Sequence, residues 1–236
     1  MEGGGGSFDF GGDRPYPTAS TYKLPIAIAF LSKSHLDQTV HVLSDDIIHG
    51  VSQIAEELPH GGDVSASRLV SLMLSQSDNS ASDAILRTAG GPAVVNAFLA
   101  SKGIEGIHIG SREKDMNTCA VPPPNSTTPR GMVKLLKALY QGKLLPPPAA
   151  KFVIGALEQT TTFPGRIKGL LPAGTVVAHK TGSGDCATND VGVVTLPKGK
   201  GHLAIAVYLQ GSHLTAAQND AIIARMSKAA FDAFAQ

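Results

Sequence analysis

The sequence predicts an α+β fold in which an antiparallel sheet flanked by helices joins a mainly helical lobe. Three observations predict it. Apolar residues recur at helical spacing through the middle of the chain, short Val-, Ile- and Leu-rich runs appear only in the last third, and an amphipathic helix follows them. The 236 residues read as one domain, 1–236. Its sub-lobes are an α/β part, 1–19 plus 163–236, and a helical part, 20–162.

The elements follow in order. Residues 3–6 are a glycine run and read as flexible. Residues 7–10 read as a short strand, and 11–17, with two Gly and two Pro, as turns. From 21 to 33, Leu24, Ala27, Ile28 and Leu31 hold helical spacing, and Pro25 sits early, where a missing N–H costs least. Helices are predicted over 67–76, 79–88, 92–101, 129–140 and 146–159, with Thr128-Pro129 as a cap and first residue. The stretch 103–128 has no periodicity, and loops of that length in a compact domain are usually functional or disordered. Strands are predicted over 175–178, 191–196 and 203–209, the last two joined by a turn at 197–201. Ile222, Ile223, Met226, Ala230 and Phe234 form the stripe of a final helix over 215–234.

Composition excludes several function classes. Twenty basic and nineteen acidic residues nearly cancel, and no cluster reaches the density of a nucleic-acid patch, so no nucleic-acid partner is expected. No apolar run approaches the roughly 18 residues of a membrane span. The Met-Glu-Gly-Gly start lacks the basic-then-apolar order of a secretion signal. The eight His show no metal-ligand spacing, and neither metal nor cofactor is expected. His179 reads as a strand residue. Cys119 and Cys186 fix no disulfide framework by themselves and are open to being two unrelated thiols.

Three short motifs carry chemistry: Ser20-Thr21-Tyr22-Lys23, Ser77-Asp78-Asn79 and Lys180-Thr181-Gly182. Singly each is weak. Ser-x-x-Lys recurs at Ser111 to Lys114, Ser-Asp-Asn is commonly a helix cap, and Lys-Thr-Gly commonly ends a strand. Together they occur in order, at a helix start, between two helices and at a strand end. With these residues the chain resembles the penicillin-recognising serine hydrolases, class A β-lactamases above all, from about residue 7 to the C-terminus.

The residue types suit that chemistry. A serine hydroxyl needs a neighbouring base, and Lys23 lies one helical turn from Ser20 on the same face. To act as a base Lys23 must be neutral, which burial or the charge of Lys180 would favour. The resemblance implies that the N–H groups of Ser20 and Ser183 hold the oxyanion, donors worth roughly 3–4 kcal/mol each. It implies that Ser77 relays a proton to the leaving nitrogen, and that Asn79 holds the substrate's amide side chain. Lys180, Thr181, Gly182 and Ser183 would line the place of its carboxylate. Arg166, fourteen residues before Lys180, stands where some members carry an arginine for that carboxylate; the alternative is a solvated loop residue.

The resemblance also implies a second base for deacylation. Glu113, with Asn117 four residues later as its water partner, fits inside the aperiodic stretch. Arg112 is adjacent to that Glu, where the family keeps an Arg two residues before, and Lys114 stands where Pro is common. Family geometry would bring Cys119 and Cys186 to one pocket rim, where a disulfide requires Cα atoms within roughly 7 Å. Members carry a helix and a central strand before the segment matching 7–17, so the final helix here would lack a partner. The expected activity is β-lactam hydrolysis by a monomer, unless another chain supplies the missing piece, in a periplasmic or secreted setting. The alternatives are a D-alanyl-D-alanine carboxypeptidase or transpeptidase with the same Ser20 chemistry, and a non-catalytic β-lactam-binding remnant.

Overall fold

The computed structural model describes residues 6–236, so residues 3–5 of the glycine run lie outside the described residues. A strand β1 (Tyr16–Pro17) leads into a 3-10 turn at Ala19–Tyr22 and directly into α1 (Lys23–Leu31). Every residue of α1 is buried, so this helix, apolar nearly all round, is the axis of the core. There follow β2 (Thr39–Val42), α2 (Gln53–Glu57), β3 (Gly62–Ser65), α3 (Ala66–Ser75), α4 (Asn79–Thr88) and α5 (Pro92–Ser101). Then come β4 (Ile107–His108), β5 (Ser126–Thr127), α6 (Pro129–Tyr140) and α7 (Pro147–Glu158). The chain closes with β6 (Val177–Gly184), β7 (Ala187–Thr195), β8 (His202–Gln210) and α8 (Ala216–Ala235).

Local chemistry explains the helix starts. Ser65, Asp78, Thr128 and Thr215 each accept a backbone N–H three residues on, and Gln218 completes a capping box with Thr215. The main sheet has the antiparallel order β6-β7-β8, which leaves β6 at an edge. Its two faces alternate residue by residue, as a pleated strand requires. Val191, Val193 and Tyr208 enter the large core with α1, α3 and α4. Val177, Val194, Ile205 and Val207 meet Ile223 and Phe231 of α8.

The predicted strand at 7–10 does not form. Asp9 instead accepts from Gly12 N–H (2.7 Å), making a turn, and the strand lies later, at β1, paired with β5. The strand predicted at 175–178 runs on to Gly184, because polar Lys180, Thr181 and Ser183 mask its continuation. The Lys-Thr-Gly motif is therefore within a strand rather than at its end. Sequence reading also missed β2, β3 and α2, which are short and polar on one side.

Truncating Leu69, fully buried in α3, to Ala is expected to cost about 2–5 kcal/mol. Met226→Ala, on the outer side of α8 at 43% exposed, should stay within about 0.5 kcal/mol. Urea midpoints at unchanged slope measure both.

Candidate active site

The three motifs meet at one place. Ser20 lies in the 3-10 turn ahead of α1, half-buried, behind Ala19 in the left-handed region (φ 42°). A Cβ on Gly182 would come within 2.9 Å of Thr18 O and 3.1 Å of Ser20 N. The edge strand β6 therefore lies against the backbone of Ser20, and only glycine permits that closeness. Asn189 of β7 secures the same seam by donating to Pro17 O (2.9 Å) and Thr18 O (3.1 Å).

Lys23 and Lys180 are fully buried and both reach Ser77. Lys23 Nζ donates to Ser77 O (2.8 Å), Ser77 Oγ (3.4 Å) and Asn79 Oδ1 (2.6 Å). Lys180 Nζ donates to Ser77 Oγ (3.0 Å) and Thr181 O (2.9 Å). Ser77 itself is left-handed (φ 64°), which accompanies the turn of its carbonyl to Lys23. Burial lowers the Lys23 pKa, with the Glu113 carboxylate opposing it, and burial followed by repulsion from Lys23 pushes Lys180 well below the usual lysine value. Asp78 is the cap that its sequence suggested, holding Ala81 N–H (2.8 Å), Ser52 Oγ (2.8 Å) and Ile54 N–H (3.0 Å), and so aims its two motif neighbours. With Asn79 Oδ1 held by Lys23, the amide's Nδ2 side is left for an acceptor.

Glu113, 14% exposed, places Oε2 3.4 Å from Lys23 Nζ. Its own N–H donates to Asp83 Oδ1 (2.7 Å), and Arg112 binds Asp83 (3.2 Å), Asp46 (2.9 Å) and Asp45 (2.6 Å). An Arg adjacent to the Glu thus anchors the loop through acids of the helical part. Burial raises the Asp83 pKa. Asn117 is exposed, and its Oδ1 accepts from Cys119 N–H (2.9 Å), which removes that oxygen from any water at Glu113. The second Ser-x-x-Lys, Ser111 to Lys114, lies in this loop, where exposed Lys114 pairs with Asp45 (2.6 Å).

Arg166 is not a solvated loop residue: it is 2% exposed and stacks 4.0 Å from the centroid of the Phe163 ring. Nε binds Asp220 (2.7 Å), Nη1 binds Gly182 O (3.0 Å) and Asn189 O (2.9 Å), and Nη2 donates to Ser183 Oγ (2.7 Å). One N–H remains of its five, so a two-pronged clamp on a carboxylate is closed to it. Its charge acts through exposed Ser183. Thr181 is buried, and its Oγ1 is 2.5 Å from Thr162 Oγ1. His179 is a buried strand residue whose Nδ1 faces both Asp190 oxygens at 3.0 Å.

Sequence reasoning missed Asn189, Asp83, Asp220 and Asn125. Asn125 closes the neck of the Glu113 loop: its Oδ1 accepts from Gly110 N–H (2.7 Å) and Ser111 N–H (2.9 Å), and its carbonyl accepts from Thr18 N–H (3.1 Å). Each is a single polar residue with no local pattern to mark it. Cys119 and Cys186 form a disulfide, Cα–Cα 5.1 Å, which resolves the open choice against two free thiols.

Gly182→Ala should lower the acylation rate at least tenfold while the fold is retained, since the added methyl meets backbone atoms that cannot swing aside. Stopped-flow acylation beside circular dichroism measures it; an unchanged rate would refute the seam's importance.

Comparison with known proteins identifies the family of the chain. The profile of the β-lactamase enzyme family matches residues 2–234. The β-lactamase VEB-1 of Pseudomonas aeruginosa is 36% identical over 234 residues, covering 92% of this chain and 77% of that protein. A β-lactamase structure from Chitinophaga pinensis superposes with TM-score 0.91 at 35% identity, over 97% of this chain and 89% of that one. A class A β-lactamase from Bacteroides cellulosilyticus gives TM-score 0.89 at 30% identity, over 96% and 86%. The chain, with its α+β fold, belongs to the β-lactamase enzyme family, among the class A serine enzymes.

Proposed function

We propose that the protein hydrolyses the β-lactam amide of penicillin- or cephalosporin-type molecules through an acyl-enzyme on Ser20, released by a water that Glu113 activates. The observation that carries this reading is the Ser77 hydroxyl held between two buried amines, one of them 3.4 Å from Glu113. Neutral Lys23 takes the Ser20 proton as Oγ attacks the lactam carbon. The carbonyl oxygen becomes an oxyanion facing the N–H groups of Ser20 and Ser183. As the C–N bond breaks, the nitrogen takes the Ser77 proton, and the adjoining protonated Lys23 replaces it. Water then attacks the ester and gives its proton to Glu113; the C–O bond to Ser20 breaks, and that proton passes by way of Lys23 to the departing Ser20 Oγ, which restores the enzyme.

The substrate would lie between the helical part, 20–162, and the α/β part, 1–19 plus 163–236. Asn79 Nδ2 would meet its acyl carbonyl. Ser183, backed by Arg166, would meet its carboxylate in the positive field of Lys180, beside Thr181 and Gly182. Asn117 would serve the water through its Nδ2 alone. The enzyme acts as a monomer and without nucleic acid. No helix among the described residues is long and apolar enough to cross a membrane. A periplasmic or secreted setting agrees with the disulfide, since such bonds persist in oxidising compartments.

Glu113→Gln is expected to slow turnover by roughly 10²–10⁴ while acylation continues, so that protein carrying one substrate mass accumulates. Mass spectrometry after mixing with a chromogenic cephalosporin measures this; full turnover by the variant would sink the base assignment. The acylation rate of the wild type should climb with pH through the Lys23 pKa, which burial holds below 10.5, and fall away beneath it. In Glu113→Gln the opposing carboxylate is gone, so this limb shifts to lower pH. A stationary limb in single-turnover profiles would exclude Lys23 as the titrating base.

A further inference from the structure

The loop that carries Glu113 is held unevenly. Its first half is anchored by Arg112 on Asp45, Asp46 and Asp83, and by Glu113 N–H on Asp83. Its neck is closed by Asn125. Its far half, 117–124, has one buried residue, Thr118, while Val121 is 91% exposed. Segments with so little buried apolar surface open easily. What ties this half to the sheet is a small cluster at the tip. Cys119 is bonded to Cys186, Cys186 N–H donates to Thr118 Oγ1 (3.3 Å), and Gly184 lies so close to Thr118 that a Cβ would come within 2.6 Å of it. The bond lies two residues past Asn117 on one side and two past Gly184 on the other.

We infer that the Cys119–Cys186 disulfide is a positioning element for deacylation: it clamps the far half of the loop to the β6–β7 turn and thereby keeps Glu113 and Asn117 set against the ester on Ser20. The inference rests on Glu113 as the deacylating base. The acylation machinery meets the loop only through the Lys23–Glu113 pair, not through the disulfide. Ser20, Lys23, Ser77 and Lys180 are held on the 3-10 turn, α1, the α3–α4 junction and β6 by contacts that include no atom of the loop tip. Loss of the clamp should therefore divide the reaction into an unaffected half and a slowed half, a division that a general loss of stability would not produce.

The test compares Cys119→Ala/Cys186→Ala, the wild type reduced with a phosphine, the oxidised wild type and Glu113→Gln, each with a chromogenic cephalosporin. Thermal melting first fixes a temperature at which every form is folded. The expected result is an acylation burst within twofold of the oxidised wild type, deacylation slowed at least tenfold, and accumulated acyl-enzyme by mass spectrometry, in both the double variant and the reduced enzyme. Reoxidation of the reduced wild type should restore turnover. If Glu113→Gln traps the acyl-enzyme and the forms without the disulfide do not, the clamp is overturned while the base stands. If Glu113→Gln traps nothing, the base reading itself fails. If acylation and deacylation fall together without the bond, the disulfide is merely structural and the inference is equally overturned.

Discussion

One hydroxyl shared by two amines from which water has been stripped is the constraint around which this molecule is arranged. An ammonium inside a protein is costly unless acceptors surround it. Lys23 meets this with Ser77 O, Ser77 Oγ, Asn79 Oδ1 and the Glu113 carboxylate. Lys180 donates to Ser77 Oγ and Thr181 O, and burial, followed by repulsion from Lys23, depresses it more strongly than Lys23, where the Glu113 carboxylate opposes burial. Neither set of acceptors exists without the left-handed turn at Ser77, and that turn is secured by Asp78 capping α4 and binding Ser52 and Ile54. Strain in the backbone, a helix cap and the electrostatics of the centre are one device.

A second device governs the loop. Asp46 and Asp83 are wholly buried and would be untenable alone; Arg87 and Arg112 make them tenable. The consequence is that the Glu113 carboxylate is oriented by other, buried carboxylates, through Arg112 and a single backbone N–H. On the opposite wall, Arg166 plays the corresponding part for Ser183: a buried guanidinium with four of its five N–H groups engaged joins β6, β7 and α8 and polarises one exposed hydroxyl.

Much of this was legible in the residues. The helices α3 to α8 follow apolar spacing and capping residues closely, because burial of one face decides both. The ordered trio of motifs located the centre, since Ser20 and Lys23 are near in sequence and the others mark turns. What escaped was polar continuation and single-residue tertiary bonding. The second half of β6 reads as polar because Lys180, Thr181 and Ser183 bond to Ser77, Thr162 and Arg166, so the rule that strands are apolar fails there. Segment 7–10 has two aromatic residues yet no strand to pair with, and Asp9 folds it back instead. Arg166 was expected to meet a substrate carboxylate directly, and its actual ties to Asp220 and Asn189 escaped because those partners are distant in sequence. The disulfide was equally unreadable from two cysteines, as spacing says nothing about proximity.

Asn125 has a wider meaning. It joins the two ends of a loop to each other through its side chain and, through its carbonyl, to Thr18 just ahead of the nucleophile. Residues 111–124 thus form a loop whose two ends are tied at Asn125, while Arg112 and the Cys119–Cys186 bond hold its interior. Changes in its exposed part, around Val121, can be absorbed locally, while the tie at Asn125 keeps them from reaching the backbone beside Ser20. An insertion at the tie itself would be felt two residues from Ser20. Tolerance of change is thereby concentrated in the exposed bend and withheld from the hem.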